Sequence, residues 1–211
     1  MKLGPRLPRG FFARPATKVA PELLGRVLVH RLPDGDRVAV RIVEVEAYEP
    51  GDPASHAFRG PTPRNLAMFG PPGRLYAYLA YGVHVCANVV TGIDGVGSAV
   101  LLRAAEPLEG LEGMRRRRGV EDPRRLCSGP GRLTQALDIG RADDGLDLVR
   151  GRDVFLTAGE PVWPSRWSRT TRVGVNVGAD RRWRWFERGS AFVSSGRPSA
   201  PGKPVRGSRR S

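Results

Sequence analysis

The sequence predicts an α+β domain, a mostly antiparallel sheet with a few peripheral helices. Three observations carry that reading. Short runs of alternating apolar and polar residues are separated by Gly, Pro and Asp, as in Arg41-Ile42-Val43-Glu44-Val45-Glu46-Ala47-Tyr48. Two pairs of such runs are joined by tight turns, Pro33-Asp34-Gly35-Asp36 and Tyr81-Gly82. Helical spacing is confined to short stretches, with no internal repeat and no heptad pattern.

In chain order, residues 1–10 are expected to form a loose arm. Pro21-Glu22-Leu23-Leu24-Gly25 reads as a helical turn running into a strand over 26–31. After the Asp-Gly turn the chain returns as a strand over 37–48, and 49–72 is a loop rich in Pro and Gly. Residues 75–90 read as two strands joined at Tyr81-Gly82, and 98–105 as another strand. The stretch 107–118 reads as a helix with Leu108, Leu111 and Met114 on one stripe, and Gly129-Pro130-Gly131 opens a second helix over 132–137. Short strands are expected over 153–156, 172–175 and 183–188, the last near the C-terminal edge of the sheet. From residue 194 onward Ser, Gly, Pro and Arg dominate, which predicts a disordered basic tail over 194–211.

Composition narrows the function. A chain of 211 residues, 40% hydrophobic and 27% charged, is long enough for one domain with a real core. No apolar run is long enough to span a membrane, and the first ten residues hold no apolar segment of the secretory kind. Cys86 and Cys127 are too few for a disulfide framework and lack the spacing of a zinc site. A reduced, cytoplasmic setting is expected. The formal net charge of +14 favours a polyanionic partner, nucleic acid first and a membrane surface second.

The strand at Arg41 to Tyr48 carries the candidate chemistry. Alternation puts Ile42, Glu44, Glu46 and Tyr48 on one face and Val43, Val45 and Ala47 on the other. Two carboxylates on a core-type strand need a reason, because buried charge is costly unless paired or used. Glu44 reads as structural, paired with an arginine such as Arg41 or Arg103. Glu46 sits beside Tyr48 just before the Gly/Pro/His loop, where a strand opens into a pocket. A carboxylate there can hold and deprotonate a water, and a nearby arginine would lower its pKa and keep it ionised.

Tyr76 and Tyr78 share a strand face and read as core or sheet-surface residues, whereas Tyr81 at a hairpin tip leaves a large ring in solvent. In so basic a protein an exposed ring can stack on bases or wedge between them. His56 is either a surface residue or a base-stacking imidazole. His84, Cys86 and Asn88 share a strand face, but one face of one strand gives poor coordination geometry, and no metal is expected. Walker, nucleophile-elbow and dinucleotide motifs are absent, as is a Cys-x-x-Cys pair. Lys2, Lys18 and Lys203 are the only lysines, so a hydrolytic carboxylate mechanism fits better than an amine nucleophile.

An ordered set of motifs resembles the alkyladenine (3-methyladenine, methylpurine) DNA glycosylase family. It comprises the Arg41 to Tyr48 strand, Ser55-His56, Thr62-Pro63-Arg64-Asn65, Met68-Phe69, Gly73-Arg74-Leu75-Tyr76-Ala77-Tyr78, Tyr81-Gly82 and Cys86-Ala87-Asn88. Val100-Leu101-Leu102-Arg103-Ala104-Ala105-Glu106-Pro107-Leu108-Glu109-Gly110 and Leu126-Cys127-Ser128-Gly129-Pro130 complete it. The resemblance runs over 11–193 and implies one compact glycosylase domain around a curved, mostly antiparallel sheet. It implies a monofunctional enzyme of base excision repair that needs no cofactor and acts as a monomer on double-stranded DNA containing damaged purines. Its expected setting is the cytoplasm, at the nucleoid. Read onto this chain, Glu46 would activate the water, which Arg103 and the main-chain carbonyl of Val173 would hold. Tyr48 would stack on one face of the flipped base and His56 and Tyr78 on the other, with Ala54 and Leu101 bordering it. Asn88 would crowd the 2-amino group of normal guanine, and Tyr81 would fill the gap left in the duplex. The alternative from the residues alone is a non-enzymatic nucleic-acid-binding protein using Tyr81 as a wedge.

Overall fold

In a computed structural model, which describes residues 2–200, the chain builds eight strands: β1 Val27–Arg31, β2 Arg37–Tyr48, β3 Leu75–Ala80, β4 His84–Val90, β5 Ala99–Glu109, β6 Val154–Thr157, β7 Trp167–Thr170 and β8 Arg184–Glu187. Its helices are α1 Arg9–Phe12, α2 Ala16–Leu23, α3 Leu111–Arg118, α4 Pro123–Leu126 and α5 Pro130–Leu137. Strand order is β3-β4-β5-β2-β1-β6, and every ladder is antiparallel. β2 is the spine. Its first half pairs with β1; past Arg41 the place of β1 is taken by β8, with Glu44 opposite Phe186 and Glu46 opposite Arg184. The α+β expectation and the curved antiparallel sheet hold.

One sheet face buries the main core. Phe12, Val19 and Leu23 from α1 and α2, Met114 from α3 and Leu133 and Leu137 from α5 meet Val40, Val45, Val100 and Leu102 of the sheet. Each such side chain contributes about 1.5–3 kcal/mol on burial. The opposite face carries a smaller cluster of Met68, Tyr76, Val90 and Ala99, against which Tyr48 and Tyr78 pack half-buried. The site forms on this second face.

The expected alternation along β2 is corrected by a bulge. Val38, Val40 and Ile42 belong to the main core, and so do Val45 and Ala47, so the inward parity switches between residues 42 and 45. The β2–β5 register shifts at this point, on either side of Glu44. β5 switches parity in the same place: Val100 and Leu102 are core residues before it and Ala105 after it. Ile42 therefore does not share a face with Glu46 and Tyr48. A bulge bends the strand and re-aims its side chains, and this one lies at Glu44 and Arg103.

Other expectations shift at element ends. Residues 107–109 continue β5 rather than opening a helix; β4 pairs only with Ala99–Leu101, so Pro107 lies where β5 has a free edge and its missing N–H is tolerated. Gly110, at φ +79°, then turns the chain into α3, and a Cβ there would meet Arg37 O at 2.7 Å. Residues 172–175 are not a strand: Gly174 at φ +70° breaks the extended run, leaving one bridge from Val173 to Pro198. The unforeseen β7 lies just before. The N-terminal residues are not loose throughout: Leu7 is buried, its N–H donates to Leu156 O at 3.0 Å, and Arg6 bridges Thr157. Nor is 194–200 disordered, since Ser194 is buried and Ser199 N–H donates to Arg172 O at 2.7 Å. The rest of the expected tail, 201–211, lies outside the described residues. Among the described residues no helix is long and apolar enough to cross a membrane.

Candidate active site

A cavity of about 680 Å³ opens on the second face of the sheet. Its walls come from three sources. β2, β4 and β5 supply Tyr48, Asn88, Leu101 and Arg103; the β3–β4 hairpin supplies Tyr76, Tyr78 and Tyr81; the loops after β2 and β7 supply Ala54, His56 and Val173. Nine of the ten residues expected at the site therefore line one cavity. The tenth, Glu46, is 0% exposed and lies behind that lining, held by three of its members.

The Glu46 carboxylate accepts from Val173 N–H at 2.7 Å on Oε1 and from Tyr48 O–H at 3.0 Å on Oε2. Arg103 Nη1 stands 3.3 Å from Oε2. Val173, whose carbonyl is expected to hold the water, also meets Glu46 directly through its N–H. Glu44, also 0% exposed, takes stronger partners. Its Oε1 accepts from Arg103 Nε at 2.8 Å, Arg184 Nε at 2.7 Å and Ser194 Oγ at 2.9 Å, and its Oε2 from Ser194 N–H at 2.7 Å. The structural reading of Glu44 holds with Arg103 as partner. Arg41 instead pairs with Glu187 at 2.6 Å.

These surroundings push the two acids apart. Burial opposes ionisation of Glu44, but Arg103 and Arg184 outweigh it and hold that carboxyl below the usual carboxylate range. Burial pushes the Glu46 carboxyl above that range, and Arg103, the Val173 N–H and the Tyr48 hydroxyl pull it back only in part. The expected lowering of Glu46 by an arginine is thus reversed in net direction: Arg103 is present but shared with Glu44. Of two acids split in this way, the higher one is the better proton acceptor near neutral pH.

The aromatic walls are mutually fixed. Tyr76 and Tyr78 stack with centroids 5.4 Å apart, and His56 meets Tyr78 edge-on at 4.3 Å. His56 Nδ1 lies 3.0 Å from the Tyr76 hydroxyl, and burial lowers the imidazole pKa, which keeps it neutral. Burial raises the Tyr76 phenol to about 12 and pushes the Tyr48 and Tyr78 phenols well up too, so all three stay protonated. Asn88 is fixed by its Nδ2 donating to Tyr76 O at 3.0 Å. Such a slot can take a flat ring between Tyr48 and the His56–Tyr78 pair.

Tyr81 stands at the rim, 91% exposed, at φ +51° beside Gly82 at φ +70°. Val83 N–H donates to Ala80 O at 3.1 Å across the two-residue turn. Paired positive φ values define the hairpin turn that Asn-Gly favours. A tyrosine in the left-handed region is strained.

Sequence reasoning missed Tyr76 as a cavity residue, although its shared face with Tyr78 was the available signal. It also missed Arg172 and Asp52, a fully buried pair in bidentate contact behind Tyr48. Nothing in the residue pattern marks either as buried.

Comparison with known proteins agrees with the geometry. The model of the methylpurine-DNA glycosylase family matches residues 10–191. A protein of Burkholderia cenocepacia (strain HI2424) named "Putative 3-methyladenine DNA glycosylase" is 50% identical over 198 residues, covering 92% of this chain and 94% of its own. Proteins of the same name from Methanoculleus marisnigri (49% over 190 residues, 89% of this chain and 98% of theirs) and Carboxydothermus hydrogenoformans (46% over 188 residues, again 89% and 98%) are similar along the whole domain. Of the two readings of this basic chain with its exposed Tyr81, these matches favour the enzyme. The chain belongs to the methylpurine-DNA glycosylase family: it is a DNA-binding hydrolase of N-glycosidic bonds, of the 3-methyladenine type, acting in base excision repair.

Proposed function

We propose that this enzyme flips a damaged purine out of duplex DNA into the cavity and releases it by attack of a water that Glu46 deprotonates, leaving an abasic site. The observation that carries the reading is the buried Glu46 carboxylate directly behind an aromatic slot. A carboxylate offers about four lone-pair directions. Val173 N–H and Tyr48 O–H take two of them and Arg103 stands 3.3 Å from Oε2 as an ion pair, so the carboxylate keeps acceptor capacity for a water.

Tyr48 and the His56–Tyr78 pair sandwich the base, with Ala54 and Leu101 at its edges, and Asn88 excludes the 2-amino group of undamaged guanine. Tyr81 plugs the vacated stack. Unstacking a base costs a few kcal/mol, least for a damaged one, and each aromatic contact returns about 1–3 kcal/mol. Alkylated purines such as 3-methyladenine and 7-methylguanine carry positive charge, which suits an electron-rich slot and makes them good leaving groups. Hypoxanthine and ethenoadenine complete the expected range. The domain expected over residues 11–193, completed by the 194–200 segment that closes on Glu44 and Arg172, acts as a monomer in the cytoplasm without a cofactor.

The decisive assay is release of free base from duplexes carrying hypoxanthine or 3-methyladenine. The wild type is expected to release at least one, and Glu46→Gln to do so at least about 10²-fold more slowly. Equal activity of the two proteins, or none from the wild type, removes the proposal.

A further inference from the structure

We propose that Arg172, locked to Asp52, is a positioning residue that holds three parts of the site in one arrangement: the Tyr48 wall, the His56 loop and the Val173 N–H that meets Glu46. This rests on the reading of Glu46 given under Proposed function.

Arg172 is 0% exposed and is among the largest fully buried side chains of the protein. Replacing a buried ion pair by apolar residues is often neutral or stabilising, so stability alone is a weak reason for it. Its contacts supply another. The guanidinium meets both oxygens of Asp52, with Nη2 to Oδ1 at 3.0 Å. It also donates to Ala47 O at 3.2 Å, next to Glu46 and Tyr48 on β2, and to Gly178 O at 3.2 Å. Its Cζ lies 4.6 Å from the Tyr48 ring centroid, so it backs the Tyr48 wall.

Asp52 carries the connection to the opposite wall. Its Oδ1 accepts from Ala54 N–H at 3.2 Å and its backbone carbonyl from Ser55 N–H at 2.9 Å, which fixes the turn that presents His56. On its own backbone Arg172 precedes Val173, whose N–H is a Glu46 partner, and its carbonyl accepts from Ser199 N–H. One planar fork thus reaches β2, the loop after it and the loop after β7. The ammonium of a lysine, a point donor without that fork, does not reproduce it.

The readout that separates positioning from bulk stability is the acid limb of the rate–pH profile. The groups around Glu46 are Tyr48 and Glu44 on β2, Tyr78 on β3, Cys86 on β4, Arg103 on β5 and the Val173 N–H. On β8, Arg184 pairs with Glu46 through the backbone only and sends its side chain to Glu44. Two of the three groups that favour ionised Glu46, Tyr48 and Val173 N–H, are ones Arg172 holds. Letting them drift raises the limb.

Arg172→Met, the double variant Asp52→Leu/Arg172→Met and Arg172→Lys are compared with wild type for melting temperature and for single-turnover base release from a hypoxanthine duplex. Arg172→Met alone is expected to melt early, because the buried Asp52 keeps only Arg181, 3.6 Å away, and the Ala54 N–H to compensate its charge. The double variant is expected to regain most of the melting temperature but to stay about 10²-fold slow, the scale of a small misplacement, with its acid limb moved to higher pH. Folded Arg172→Lys is expected to be slow as well. A double variant or a folded Arg172→Lys with the wild-type rate and limb overturns the proposal, as does a stable, slow double variant with an unmoved limb. Glu46→Gln runs alongside: if it retains the wild-type rate, the reading of Glu46 has failed, and that failure is separate from a failure of Arg172.

Discussion

Glu44 and Glu46 lie two residues apart on one strand, are equally buried and share Arg103, yet their proton affinities move in opposite directions. Burial is therefore not what distinguishes them; the donor set is. Glu44 meets two guanidiniums and both donors of Ser194, and is neutralised. Glu46 meets one amide, one phenol and the outer edge of an arginine already engaged. A buried acid becomes available for proton transfer when its neighbours hold it without compensating it fully.

The comparison breaks most sharply at the acids themselves. Glu46→Gln should slow base release by about 10²–10⁴-fold, the span of a general base, while retaining affinity for lesion duplex. Glu44→Gln should bind and turn over far closer to wild type, provided it is assayed below its melting temperature. Parity of the two in single-turnover rate would dissolve the distinction. Glu44→Ala leaves Arg103 and Arg184 buried without their shared partner, and breaking such a pair costs about 3–5 kcal/mol. Chemical denaturation should show that loss.

Proton linkage sharpens the contrast. With its folded pKa depressed, Glu44 contributes stability that is present above its unfolded value and is lost as pH falls through the folded one. Glu46, raised, does the reverse: its ionised form costs stability at neutral pH, and the cost is relieved as pH falls through its folded value. The acid limb of base release should accordingly lie above the usual carboxylate range. The acid loss of stability should shrink in Glu44→Gln. A limb at or below the ordinary glutamate value would contradict the assigned environment.

The smallest effect concerns Tyr81. Tyr81→Asn relieves a left-handed tyrosine worth about 1 kcal/mol of strain, so the protein should melt slightly higher while lesion binding weakens by about 1–3 kcal/mol of lost stacking. A lower melting temperature with unchanged binding would mean that the ring serves the hairpin.

Much of this was legible in the residues. The β2 span, the two hairpins and the separation of Glu46 from Glu44 followed from alternation, turn chemistry and matched motifs. Period-two reasoning failed at Ile42 because a bulge has no compositional signature and reverses every side chain beyond it. β7 was missed because its four residues, Trp167-Ser168-Arg169-Thr170, read as polar surface. Arg172 and Asp52 were missed because arginine and a Gly/Pro-flanked aspartate are by default exposed; only the fold brings together residues 120 positions apart. The same long-range closure hid the order in 194–200.

That closure works as a clasp. Ser194 meets Glu44 across 150 residues, and Ser199 N–H donates to Arg172 O. A chain trimmed before residue 194 loses both Ser194 donors to Glu44 and the Ser199 tie beside Val173, so the surroundings of the two acids are completed by a segment that lies outside every strand of the sheet.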